Sequence, residues 1–367
     1  MKKLFAVLAL TIAPLAALAD HERAAVDVVF CIDRSGSMSG VIQTAKEKVW
    51  AIVNDIARIR PTPVLRIGLI GYGSADTEFK SFPLTDDLDA VYGNLMTFQT
   101  DMGGDEWVGA VVGKATNEMG WSTDKDALRI IFVVGNETAM QGTPDNMYTV
   151  TVPRAIAKDI VVNAIYCGGP GPDEERTWRE VAKLADGAYT VIDESGGAIT
   201  IETPMDQELA ELNGKLNGTY LPFGAAGAEG QANQVMQDAN SHANGAASNM
   251  AQRAMAKSWD GYNCARWDLV DACAQEGFKL EEVKDEALPE EMRKMSTDER
   301  RAHIAAKKSE RDALMKRINE LGRSRQDFID AKVKAEGLTQ DKAFDEAVRK
   351  AVREQAARRG MAFGEEK

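Results

Sequence analysis

The chain has 367 residues, 44% of them hydrophobic and 28% charged, with a formal net charge of -13. That length exceeds one ordinary domain, and the apolar share suffices for a sizeable core. Such acidity argues against binding to a phosphate backbone or an anionic membrane surface, and it attracts cations.

Lys2 and Lys3 precede an apolar run from Leu4 to Leu18, and Ala17-Leu18-Ala19 fits a small-x-small cleavage site. Residues 1–19 therefore read as a secretory signal peptide. A membrane anchor would need roughly 20 apolar residues, and this run is shorter and holds Pro14. The mature chain is expected to be periplasmic or secreted, with no membrane insertion.

From residue 26 the pattern alternates between short apolar runs and amphipathic stretches. Val26 to Ile32 is nearly all apolar, as a central parallel strand buried on both faces should be. Val41 to Ile59 reads as a helix, with apolar residues at Val41, Ala45, Val49, Ile52, Val53 and Ile56, ended by Pro61 and Pro63. Leu65 to Tyr72 is a second strand. Residues 78–84 form an edge strand, because Pro83 cannot sit in a central one. Helices are expected over residues 86–98 and 108–119, and strands at Leu128 to Val134 and Ile160 to Cys167. Residues 152–159 and 174–184 complete the helices, and Ala188 to Ile192 the strands. This alternation predicts an α/β fold, a doubly wound, mostly parallel sheet with helices on both faces over residues 24–200.

Beyond residue 200 the Val- and Ile-rich strands vanish. Residues 203–280 read as an Ala-, Gln- and Asn-rich helical connector holding Cys264 and Cys273, which are close enough in sequence to close a small loop. Cys31 and Cys167 read as small buried hydrophobes. Residues 289–359 are dense in Glu, Lys, Arg and Ala. Leu314, Ile318, Leu321 and Phe328 stand there at coiled-coil-like spacing, interrupted by Gly322 and Gly337. A solvated helical hairpin and a self-associating coiled coil are both compatible with this region.

Ligands of open α/β sheets bind at the carboxyl ends of the strands. The first strand ends in Asp33-Arg34-Ser35-Gly36-Ser37, directly before a helix. One carboxylate and two hydroxyls then share a tight loop, an all-oxygen set suited to a hard divalent cation. The alternative is a serine-rich turn whose hydroxyls cap the helix.

This loop, with its strand and its helix, resembles the metal-ion-dependent adhesion site of the von Willebrand factor type A family, over about residues 24–200. The resemblance implies a Rossmann-like domain. Its second loop corresponds to Thr100-Asp101-Met102-Gly103-Gly104-Asp105, where Asp105 is the candidate ligand, with Asp101 and Thr100 behind it. A helix cap is the other role open to Asp105. The family's third acidic position falls on Gly135 in Val134-Gly135-Asn136-Glu137, so Asn136 or Glu137 would have to supply that oxygen. The implied metal set is Asp33, Ser35, Ser37, Asp105 and Glu137, with Mg²⁺ first and Ca²⁺ or Mn²⁺ as alternatives. The Gly-Asn-Glu turn, the strand from Asn163 to Gly168 and the Ala-, Asn- and Gln-rich tail look like an exported bacterial subgroup of the family.

The resemblance also implies a protein partner that completes the cation's coordination with an Asp or Glu, in a binding or adhesion module and not an enzyme. The second reading is a scaffolding protein with a vestigial metal site, assembled through its C-terminal helices. Three scattered histidines, His21, His242 and His303, support neither a zinc site nor a Ser-His-Asp set. Gly68-x-x-Gly71-x-Gly73 does not fit a dinucleotide fingerprint, and the glycines at 168–171 lack the Lys-Ser/Thr of a phosphate loop.

Overall fold

The structure, a computed structural model, describes residues 25–73, 79–100, 103–169, 171–197, 199–338 and 343–364. The signal-peptide segment 1–19 and Asp101 lie outside the described residues.

Chain order in the first half runs β1 (Ala25–Asp33), α1 (Ser39–Ile56), β2 (Ile59–Arg60), β3 (Val64–Tyr72), β4 (Lys80–Thr85), α2 (Leu88–Met96), α3 (Val108–Glu118), β5 (Leu128–Gly135), α4 (Tyr148–Ile156), β6 (Val161–Tyr166), α5 (Pro172–Leu184) and β7 (Tyr189–Val191). Six strands form one sheet in the order β4-β3-β1-β5-β6-β7. All neighbours are parallel except β4, which runs antiparallel at the edge. Pro83 lies in that edge strand, where a missing N–H costs least.

The apolar run of β1 divides between two cores. Val28, Phe30 and Ile32 face one side with α1 and α2, while Val29 and Cys31 face the other with α3, α4 and α5. Burial on both faces is why these strands carry no polar alternation. Asp27 is a buried acid in the middle of β1: Arg66 donates two bonds to its carboxylate, at 2.8 and 2.5 Å, and the Ser122 N–H a third at 2.7 Å.

The second half is helical: α6 (Asp206–Asn217), α7 (Gly227–Ala243), α8 (Ala246–Lys257), α9 (Leu269–Ala272), α10 (Thr297–Glu336) and α11 (Phe344–Arg358), followed by β8 (Ala362–Phe363). Ser296 opens α10 with a reciprocal capping box to Glu299, and Gly337 closes it in the left-handed conformation. Gly322 does not interrupt α10, which runs through it for 40 residues; a side chain there would press on Met255 of α8.

The coiled-coil-like stripe is largely consumed inside the chain. Ile318 and Leu321 are buried in the same core as β1 and α1, with Leu314 packed against it, and Phe328 alone is exposed. Chain continuity does not end the first core at residue 200 either. Helix α11 returns to the sheet beside β5 and β6 and packs on α1. Phe344 meets Phe30 at 6.2 Å between ring centroids, and Gln355 exchanges two amide bonds with Asn163 of β6. Strand β8 pairs antiparallel with β2. Cys31, Cys167, Cys264 and Cys273 are all free thiols, the first three buried.

Candidate metal centre

Asp33 is the last residue of β1, fully buried at the carboxyl end of the sheet. Its carboxylate organises the loop that follows. The Ser35 N–H donates to Oδ1 at 2.7 Å, and the Ser35 hydroxyl donates to Oδ2 at 2.9 Å. The Ser35 and Ser37 hydroxyls lie 3.1 Å apart. Residues 36–38 form a single 3₁₀ turn leading into α1, and neither Ser35 nor Met38 makes a side-chain capping bond. The Ser35 hydroxyl therefore turns towards Asp33, and the Ser37 hydroxyl towards Ser35, and neither caps the helix. Space for this loop comes from Gly73, where the backbone holds φ at +134° and a side chain would stand 2.7 Å from Asp33 Oδ1.

The second loop brings a different acid than expected. Asp105 is exposed, and α3 begins after Trp107 without a side-chain cap, so Asp105 does not cap that helix. The next residue, Glu106, is only 2% exposed, and its carboxyl lies close enough to Asp33 and Ser35 to interact with both. Thr100 is exposed. Nothing in the composition of the Gly-Gly-Asp-Glu run distinguishes the two acids. The only sequence signal for Glu106 is its place immediately before Trp107 and the apolar face of α3.

Two buried carboxyls in contact cannot both hold a charge at low cost. Burial pushes Glu106 up to about 9, and the adjacent Asp33 adds to the shift. Asp33 is also raised, again by burial first, with bonds from Glu106 and Ser35 opposing. The negative charge of Glu137 pushes both in the same direction.

The third loop follows β5. Gly135 stands where the family resemblance expects an acid, and its side-chain space is already filled. A Cβ there would lie 2.7 Å from the Tyr72 hydroxyl and 3.1 Å from the Trp178 ring. Tyr72 donates to the Val134 carbonyl at 3.0 Å, and the Trp178 indole donates to the Glu137 carbonyl at 2.6 Å. Glu137 itself is exposed, with Oε2 accepting from Gln141 Nε2 at 2.8 Å. Asn136 carries a buried Oδ1 with no hydrogen-bond partner.

Among the described residues no group of three or more His, Cys, Asp or Glu side chains is gathered at metal-binding spacing. The donor set at this loop is instead mixed: two hydroxyls and the paired carboxyls of Asp33 and Glu106. That set is all oxygen, which fits Mg²⁺, Ca²⁺ or Mn²⁺ and disfavours soft-ligand metals. A divalent cation in place of the shared proton would remove the repulsion between the two carboxylates.

Residues 28–138 match the von Willebrand factor type A domain family. No curated protein matches the chain. Many solved structures are similar to it, these three among them. The conserved hypothetical protein BatB from Bacteroides thetaiotaomicron is 18% identical over 46% of this chain and 90% of its own, with a TM-score of 0.36. The SpRpn10 VWA domain is 17% identical over 46% of this chain and 88% of its own, with a TM-score of 0.35. The pilus adhesin SpaC from Lactobacillus rhamnosus GG, in an open conformation, is 16% identical over 47% of this chain and 28% of its own, with a TM-score of 0.34.

Proposed function

We propose that the von Willebrand factor type A domain carried by this chain is a metal-dependent protein-binding module, exported and non-enzymatic. Asp33, Ser35, Ser37 and Glu106 would hold a divalent cation, Mg²⁺ in the first instance, with Glu137 at the margin. One observation carries this reading: the Ser35 hydroxyl donates to Asp33 instead of capping α1, so carboxylate and hydroxyls are gathered as a donor set. The cation, when bound, would offer an open coordination position that a partner's Asp or Glu fills. The chain's own part is to keep few protein carboxylates there, to bury Asp33, and to set the hydroxyls beside it. Among the described residues no helix is long and apolar enough to cross a membrane, which is compatible with a periplasmic or secreted place of action.

A scaffolding role with a vestigial site is the second reading, and it is favoured by Gly135, whose side-chain space Tyr72 and Trp178 occupy. Its proposed route of assembly is weakened by the burial of Ile318 and Leu321 within the chain.

Calorimetric titration of Mg²⁺, then Ca²⁺ and Mn²⁺, into chelator-stripped protein tests the first reading. Saturable binding is expected for the native sequence, with loss in Asp33→Ala and at least a tenfold weakening in Glu106→Gln, roughly the effect of removing one charged ligand. Heats indistinguishable from dilution at millimolar metal would remove the metal-dependent reading and leave the scaffold.

A further inference from the structure

We infer that Gln141 is a positioning residue of this site, coupling the second loop to the third. The inference rests on the metal-binding reading above. Gln141 lies in the connection between β5 and α4, and its one side chain reaches both neighbours. Its Oε1 accepts the backbone N–H of Glu106, and its Nε2 donates to Glu137 Oε2 at 2.8 Å.

Each bond acts on a different acid. The bond to the Glu106 amide pins the main chain at the point where the buried carboxyl leaves it. That loop has little stiffness of its own just upstream, where Gly103 and Gly104 follow one another. The bond to Glu137 orients an exposed carboxylate beside the site, near enough for its charge to be felt by both Asp33 and Glu106. With Gly135 bringing no acid, Glu137 supplies a third-loop carboxylate near this site, and Gln141 donates to it. Partners in the shell outside the ligands commonly change metal affinity by about 10–100-fold, because they set the orientation of the groups that bind.

Three properties follow. Removing the Gln141 amide without changing its bulk weakens metal binding and leaves the metal-free fold intact. Part of the effect passes through Glu137. No direct contact between Gln141 and the cation is required.

The test is Mg²⁺ titration of the full mature chain in four forms: native, Gln141→Leu, Glu137→Gln and the double variant. Thermal melting of each is measured without metal. The expected result is about a tenfold weaker affinity in Gln141→Leu, an unchanged metal-free melting temperature, and a smaller effect of Gln141→Leu when Glu137→Gln is already present. Native-like affinity in Gln141→Leu, beside saturable binding by the native chain, overturns the inference and leaves the metal site standing. Weakened binding accompanied by a matching fall in metal-free melting, and equally large in both backgrounds, also overturns it, since Gln141 would then only support the loop. Absence of Mg²⁺ binding by the native chain removes the site and the inference together.

Discussion

Burial and the neighbouring Asp33 carboxyl favour the protonated form of Glu106. Because its folded value is raised, to about 9, the stability it contributes is complete below the ordinary carboxyl range. That contribution is lost as pH rises through about 9. Metal-free protein should therefore melt at a falling temperature from about pH 5 to about pH 9, and Glu106→Gln should flatten that slope. A cation bound as proposed would oppose the fall at saturating Mg²⁺, since it would take the ionised pair and displace the proton. Melting curves across that range, with and without Mg²⁺, check the prediction; a native slope equal to that of Glu106→Gln would show that Glu106 is not held protonated.

Between elements, the interface most exposed to failure is charged. Arg253 of α8 is fully buried and donates to Asp89 of α2 at 2.8 Å and to Asp238 of α7, with its guanidinium 4.7 Å from the Trp50 ring of α1. Tyr262 donates to the other Asp89 oxygen at 2.7 Å, and Lys257 lies 3.6 Å from Asp238. A buried cluster of this kind contributes little net stability while intact, yet it penalises loss of one partner heavily. Arg253→Ala should cost about 3–5 kcal/mol, because it removes the charge that pairs with two buried carboxylates and opens a gap beside Trp50. Urea unfolding followed by tryptophan fluorescence measures this, and a cost under about 1 kcal/mol would mean that water readily reaches the cluster. Elements with strong local signatures were legible beforehand. The strands from 26 to 32 and 128 to 134 stand out as runs apolar on both faces, and the helices carry regular apolar stripes. The length of α10 was not, since a glycine inside a charged helix reads as a break until Met255 is found packed against it.

For the whole molecule, the first core is completed by the far end of the chain. Phe344, Val348 and Val352 of α11 are buried in the same cluster as Phe30 and Phe132 of the sheet, about 150 residues after the last strand of that sheet. Residues 24–200 expressed alone should thus leave uncovered the part of one sheet face that α11 buries. They are expected to bind a hydrophobic dye and to lack a cooperative melt, whereas residues 20–367 should do neither. A sharp cooperative transition in the shorter chain would show that α11 is dispensable for the fold.

The amino-acid sequence by itself determined the sheet, the order of its helices and the Asp33-Ser35-Ser37 loop, because each rests on spacing between near neighbours. Tertiary structure alone decided which acid joins Asp33. Asp105 and Glu106 are adjacent and chemically alike, and only the path of the loop and its bond to Gln141 turn Glu106 inward. It also decided what fills the space at Gly135, since Tyr72 and Trp178 arrive there from distant strands and helices. The return of α11 belongs to the same class. Local periodicity records that a segment has an apolar face, but which surface that face covers is settled by the competition among all the surfaces of the folded chain.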